Sequence, residues 1–190
     1  MTGNDIVDIA TAAIESNWQR KNYLQKIFTP QEQQYIYNAT LPEQMVWRLW
    51  SMKESAYKIY TRQYGSRFFA PQKLNCFLSC ETTGQVIIHN TIYNANTIST
   101  VKYIYTVAAT EESSPGLIND CFAIPQDHSN QQKFIYERVV SSYATARNDD
   151  KNSFAILKDK NNIPFLHCKT DKTNVPVSIT HHGNYAAFII

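Results

Sequence analysis

"WSMKESAYK", residues 50–58, decides how the rest of the chain is read. It lies within "LPEQMVWRLWSMKESAYKIYTRQYG", residues 41–65, which Pro42 opens and Gly65 stops, the punctuation of one long helix. On a 3.6-residue period Trp47, Trp50 and Glu54 fall at i, i+3 and i+7 and share a face. Glu54 and Lys58 stand at i and i+4, in the order that favours an ion pair. As a solvated pair they would contribute only about 0.3–0.5 kcal/mol. The two tryptophans should face the core, however, which puts Glu54 at the edge of buried surface, where a carboxylate needs a cation or a donor. A second acid, Asp5, stands in the strand-like stretch "GNDIVDIA", although aspartate suits strands poorly. An acid on a strand and an acid on a helix could together hold one Mg²⁺, which takes one or two carboxylates and shares its remaining shell with water and phosphates. The bland alternative is a turn-adjacent aspartate and a surface ion pair.

The chain has 190 residues, 43% hydrophobic and 18% charged, enough for one domain or two small lobes with a real core. A net charge of +2 without any Lys/Arg tract gives no argument for nucleic acid. "MTGNDIVDIA" has no basic segment followed by an apolar one, and no apolar run approaches membrane-spanning length. The expectation is a cytoplasmic protein with no membrane partner. In that compartment Cys76, Cys80, Cys121 and Cys168 read as buried free thiols, with Cys76 and Cys80 on one face of a strand.

"GNDIVDIA" predicts a strand, followed by a helix from Ser16 and Asn17 through "WQRKNYLQKIF". Thr29 as N-cap, Pro30 at the first helical position and Glu32 closing a capping box predict the next helix. After Gly65 the period becomes two. "KLNCFLSC", "QVIIHN" and "VKYIYTVAA" read as strands, and "ETTGQ" as a hairpin turn. "ESSPGLIND" reads as a loop between lobes. Ser129 and Gln132 should cap a helix to about Arg147 with Ile135, Val139, Tyr143 and Ala146 on one side. "FAILKD", "PFLHC", "VPVSIT" and "YAAFII" are strand-like. The pattern is α+β in two halves, residues 1–112 and 113–190, forming one globular unit.

"SITHHG", residues 178–183, places His181 and His182 before the last apolar stretch. They read either as a polar turn or as an anion site in which Thr180, a histidine and backbone N–H groups meet a phosphate. Gly3-Asn4-Asp5 on a strand, followed about forty residues later by "WSMKESAYK", resembles the paired signature of the 4′-phosphopantetheinyl transferases. "VPVSITHHGNYAAFII" is similar to that family's Ser-x-Ser-His-x-x-x-Tyr-Ala strand. The resemblance implies an enzyme that moves the phosphopantetheine arm of coenzyme A to a serine of an acyl or peptidyl carrier protein, with Mg²⁺ as cofactor. It implies the family fold of two pseudo-symmetric α/β halves, antiparallel sheets packed with a long helix in each.

Carried over by position, Asp5 and Glu54 become metal ligands, and Glu54 and Lys58 the catalytic pair, the proton acceptor lying between Glu54 and a metal-bound water. Thr180 and His181 become contacts to CoA, His181 at the 3′-phosphate, joined by Lys53 and Lys133. The end of the long helix and the loop after it, with Arg62, Arg67, Phe68 and Phe69, read either as a carrier-binding surface suited to an acidic helix or as a solvated loop with buried phenylalanines. Two departures stand out. Val7 occupies the place of a further acid, and "NIP" replaces a Gly-Lys-Pro, leaving Lys158, Lys160 or Lys133 to supply the missing positive charge. The halves also stand in swapped order relative to the family's long class. That predicts residues 185–190 as an antiparallel neighbour of residues 4–9, His181 and Asp5 in one cleft, and a monomer. A short-class subunit completing its site with a neighbouring chain is the alternative to that layout. A non-catalytic module that binds CoA or carrier protein is the alternative function.

Overall fold

The computed structural model describes residues 1–65, 68, 70–110 and 117–190. β1 (Thr2–Asp8) leads into α1 (Ile9–Glu15), α2 (Tyr23–Ile27), α3 (Pro30–Asn38) and α4 (Pro42–Tyr64). β2 (Leu74–Leu78), β3 (Thr83–Ile88), β4 (Thr91–Ser99) and β5 (Tyr103–Ala109) follow as an antiparallel meander. β1 adds to its end, with Asp5 opposite Thr106, in the order β1-β5-β4-β3-β2. The second half holds β6 (Asn119–Ala123), α5 (His128–Arg147), β7 (Phe154–Lys158), β8 (Pro164–Cys168), β9 (Asn174–Pro176), β10 (Ser178–His182) and β11 (Tyr185–Ile189). Its strands form two antiparallel sheets, β10-β11-β6 and β7-β8-β9. The architecture is α+β with antiparallel sheets and a long helix in each half. Among the described residues no helix is long and apolar enough to cross a membrane.

α4 lies across the five-stranded sheet and buries Leu49, Met52, Ala56 and Ile59 completely against residues such as Val86, Ile88 and Tyr93. Its approach to β1 is unusually close. A Cβ at Gly3 would overlap the Ser55 carbonyl oxygen and press on Ile59, so only glycine fits there. The facing helix residues are small. Ser51 Oγ donates to the Asp5 carbonyl at 3.2 Å, and Ser55 Oγ to the Thr106 carbonyl at 3.0 Å. A second core forms around Val139, Leu166, Val177 and Phe188. Ile6, Tyr105 and Ala187 pack together where the sheets of the two halves meet.

Several expectations need correction. The strand at the N-terminus stops at Asp8, whose side chain caps α1, so residues 9–10 are helical. The helix expected from Ser16 shrinks to α2, because Asn22 takes a left-handed conformation with φ +63°. β4 and β6 were absent from the sequence reading, and Asn119 and Asp120, assigned to the loop, open β6. α5 is capped by Asp127, which accepts from the Ser129 amide, and Ala146 is exposed. Cys76 is buried, whereas Cys80 lies beyond β2 and is exposed. β11 is bonded to β10 and β6 and not to β1, whose ladder partner is β5. Contacts of Asn4 with Ser178 and Asp8 with His182 set β10 parallel to β1. β11 therefore runs antiparallel to β1 as expected and packs against it, Ile6 meeting Ala187, without a shared hydrogen-bond ladder.

Asp8 fastens the two halves. It is 2% exposed; Oδ1 accepts from the Ala10 and Thr11 amides, and Oδ2 from the backbone and side-chain nitrogens of Asn184. Gly183, at φ +55°, leaves room for this, since a Cβ there would overlap Asp8 Oδ2 and Thr11 Oγ1. Burial opposes the charge on Asp8, but bonds from Asn184 and Thr11 outweigh it and hold the carboxyl below its ordinary pKa. Its contribution is present above about pH 4, where unfolded aspartate is ionised, and is lost as pH falls through the lower folded value. Asp8→Ala should cost about 2–4 kcal/mol in urea unfolding, through a lost cap and stranded donors. Asp8→Asn should remove the part of the acid-induced loss of stability that this carboxylate causes.

Candidate active site

Three separate stretches converge where the halves meet. β1 supplies Asp5, α4 supplies Glu54 and Lys58, and β10 supplies Thr180 and His181. The close seat of α4 at Gly3 brings Lys58 onto β1, where Nζ donates to the Asn4 carbonyl at 2.7 Å and lies 3.3 Å from Asp5 Oδ1. The same Oδ1 accepts from Thr180 Oγ1 at 3.2 Å. Asp5, Glu54 and His181 line one cavity of about 340 Å³, walled in part by Trp47 and Trp50. Glu54 also borders a lobe of about 250 Å³ with Tyr57, Lys58 and Ile179. His181 borders another of about 320 Å³ with Tyr136, Lys158 and Ile179. Singly these lobes are close to the lower end of ligand-pocket size, about 300 Å³. Sharing Glu54, Ile179 and His181, they make a branched cleft that suits an extended ligand.

Burial first, and the Asp5 charge second, push the Glu54 carboxyl up to about 7, with Lys58 offsetting part of the shift. Two mutually repelling carboxylates at the mouth of a cleft are a hard-oxygen donor pair that a small divalent cation would relieve. Among the described residues no group of three or more His, Cys, Asp or Glu is placed to hold a metal. Two carboxylates are the donor set that an ion such as Mg²⁺ would take, with water and phosphate completing its shell.

Five of the sequence-predicted residues thus come together: Asp5, Glu54, Lys58, Thr180 and His181. Thr180 is 7% exposed, and its hydroxyl donates to Asp5. Lys53 does not join them. It is 1% exposed, with Nζ 2.8 Å from Glu32 Oε2 and donating to the carbonyls of Pro71 and Leu74. Five residues, about 140° around the helix, separate a lysine that faces the core from one that faces the cleft. Lys133 is exposed on α5, whereas Gln132 and Tyr136 of that helix, and Lys158 at the end of β7, face the third lobe. Arg62 donates to the Thr2 and Val177 carbonyls, tying the halves together. Phe68 packs edge-on against Tyr57 and Tyr60, both at 5.4 Å. Arg67 and Phe69 lie outside the described residues.

Two residues missed as participants are Ser178 and His182. Ser178 Oγ accepts from the Asn4 amide at 3.2 Å, and His182 Nδ1 from the Asp8 amide at 2.9 Å. Their signal was in the sequence, since Ser178, Thr180 and His182 are polar residues at a period of two on one strand.

An acid pair, a lysine and a histidine are thus gathered at a cleft between the two α+β halves. Residues 1–113 match the family model of the 4′-phosphopantetheinyl transferase superfamily. The chain belongs to that superfamily and is a transferase of the phosphopantetheinyl kind. Among solved structures it is similar to the holo-[acyl-carrier-protein] synthase of Thermotoga maritima, at 11% identity and a TM-score of 0.45, covering 70% of this chain and 72% of that one. A likeness of that degree carries no argument about activity. No curated protein sequence matches the chain.

Two outcomes test this electrostatic arrangement. With chelator present, the raised Glu54 pKa means that folding stability falls as pH rises from about 4.5 through about 7, the folded state being the one that holds the proton. Urea unfolding across that range should show the fall in the wild type and not in Glu54→Gln, and Mg²⁺ should offset it. Lys53→Met strands Glu32 in the core and should cost about 3–5 kcal/mol, while leaving the KM for CoA of the folded fraction unchanged. A raised KM would return Lys53 to the cleft.

Proposed function

We propose that this protein transfers the 4′-phosphopantetheine arm of coenzyme A to a serine of an apo acyl or peptidyl carrier protein, with Mg²⁺ held by Asp5 and Glu54. The single observation that supports the reading is the meeting of Asp5, Glu54 and Lys58 from one half with His181 from the other on one cleft. In the reaction the serine oxygen bonds to the β-phosphorus of CoA. The bond from that phosphorus to the bridging oxygen breaks, its electron pair leaves on adenosine 3′,5′-bisphosphate, and the serine proton passes to the Glu54 carboxylate. Bound Mg²⁺ would supply charge neutralisation at the pyrophosphate. Lys58, anchored by the Asn4 carbonyl, holds a positive charge beside Asp5 and faces the same cleft, where developing phosphate charge can use it. His181 and Lys158 border the lobe in the second half and are placed to bind the 3′-phosphate of the nucleotide. Lys158 is then the cation standing in for the lysine that "NIP" replaces.

The test is incubation with CoA, Mg²⁺ and a panel of apo carrier proteins, followed by intact-mass measurement. The expected result is a phosphopantetheine mass gain on at least one carrier; none on any carrier, with the protein folded, would count against transfer. Asp5→Ala and Glu54→Ala should each lower turnover by about two orders of magnitude or more, since both remove charge stabilisation at the reacting phosphate. His181→Ala and Lys158→Ala should instead raise the KM for CoA, because the 3′-phosphate is remote from the reacting phosphorus. Tight CoA binding that ignores Mg²⁺ and survives Glu54→Gln would favour the non-catalytic binding module.

A further inference from the structure

We propose that His182 is a positioning residue, which clamps β10 to the open edge of β1 and so fixes Thr180 and His181 relative to Asp5. β1 is hydrogen-bonded to β5 along one edge. Along its other edge lies β10, whose own ladder partner is β11, so among the described residues no backbone ladder joins β1 to β10. Side chains at every second position of β10 fill that gap. Ser178 Oγ takes the Asn4 amide, Thr180 Oγ1 donates to Asp5, and His182 Nδ1 takes the Asp8 amide. Asn4 is 0% and Asp8 2% exposed, so without these acceptors two buried N–H groups would lack partners. The Thr180–Asp5 contact sits between the two clamps, and its length depends on both.

His182 does more in this arrangement than a serine would. Accepting at Nδ1 leaves the ring proton on Nε2, which lies 3.3 Å from Glu15 Oε2 on α1. The ring is thus held at both ends, by β1 and by α1. A doubly protonated imidazole has no lone pair at Nδ1, so charging His182 breaks the clamp. The groups around it are Glu15 from α1 and Asp8 from β1, whose carboxylate is already committed to α1 and Asn184. Tyr185 lies opposite on β11, and Asp5 and Glu54 stand across the shared cavity. Strand alternation then separates the roles of two adjacent histidines, with His181 directed to ligand and His182 to β1.

The proposal rests on the transfer reading only for its kinetic readout. Nitrogen NMR of His182, exchange of the Asp8 amide, and CoA titration and turnover with Mg²⁺ are measured for the wild type, His182→Asn and His182→Leu. Asparagine keeps an acceptor without a titrating charge; leucine keeps neither. The wild type should show the Nε2-protonated tautomer. His182→Leu should speed Asp8 amide exchange and raise the KM for CoA about tenfold each, the equivalent of one lost hydrogen bond, while His182→Asn stays within about threefold of wild type. Wild-type exchange rates in His182→Leu, or an equal defect in a folded His182→Asn, overturn the proposal. Should His182→Leu not fold, a wild-type His182 that carries its proton on Nδ1 rather than Nε2 overturns it instead. If the wild type neither binds CoA nor transfers, the functional reading falls, and the exchange and tautomer data still decide the clamp.

Discussion

The structure depends on how closely α4 is seated on β1. A side chain at Gly3 would collide with the helix backbone at Ser55, and the helix presents serines at 51 and 55 instead of the bulky residues that fill the rest of its buried face. The serine hydroxyls spend their hydrogen bonds on strand carbonyls, so the contact is polar without leaving donors stranded. Because the helix is this near, Lys58 reaches the Asn4 carbonyl with an ordinary hydrogen bond, and Glu54 feels the charge of Asp5. A helix held farther off by a methyl group at position 3 would still bury Leu49 and Met52, but its two charged residues would address solvent. The chemistry of the cleft thus follows from a packing distance.

β1 is also the strand on which both halves draw. Its odd positions, Gly3, Asp5 and Val7, meet α4 and the first core, and Ile6 meets Tyr105 and Ala187 at the seam. Two aspartates three residues apart therefore serve different ends. Asp5 lies in the cleft, and Asp8, where the strand stops, ties α1 to the turn at Gly183–Asn184. Carboxylates are rarely buried without partners. Here one is compensated by a lysine and a threonine, the other by backbone and amide donors.

Much of this was legible in the sequence where the determining interactions are local. The Thr29-Pro30-Glu32 start of α3, the Pro42 start and Gly65 stop of α4, and the face shared by Trp47 and Glu54 all depend on residues within a turn or two of one another. The end of β1 was misjudged because Asp8 reads as one more strand residue until its capping bonds to Ala10 and Thr11 are seen. β4 was missed because its outward positions include Asn94 and Asn96, which resemble loop composition although Tyr93, Ala95 and Thr97 are buried between them. Spacing puts Lys58 and not Lys53 on the stripe of Trp47 and Glu54, but the partners that claim them, on α3 for Lys53 and on β1 for Lys58, are distant in sequence and were not legible. The same holds for Glu32, which closes the capping box as expected and also accepts from the Cys76 amide 44 residues away.

That last cluster has a kinetic side. Glu32 and Lys53 are 0% and 1% exposed and link α3, α4, the Pro71–Leu74 segment and the start of β2 through one pair of opposite charges. If α3 alone peeled away, the Lys53 ammonium would keep the Pro71 and Leu74 carbonyls but lose its counter-charge beside Phe28, a cost added to that of the lost apolar contacts. Local fraying of α3 is thus opposed by the ion pair as well as by its packing, and the opening of α3 is coupled to that of α4 and of the segment before β2.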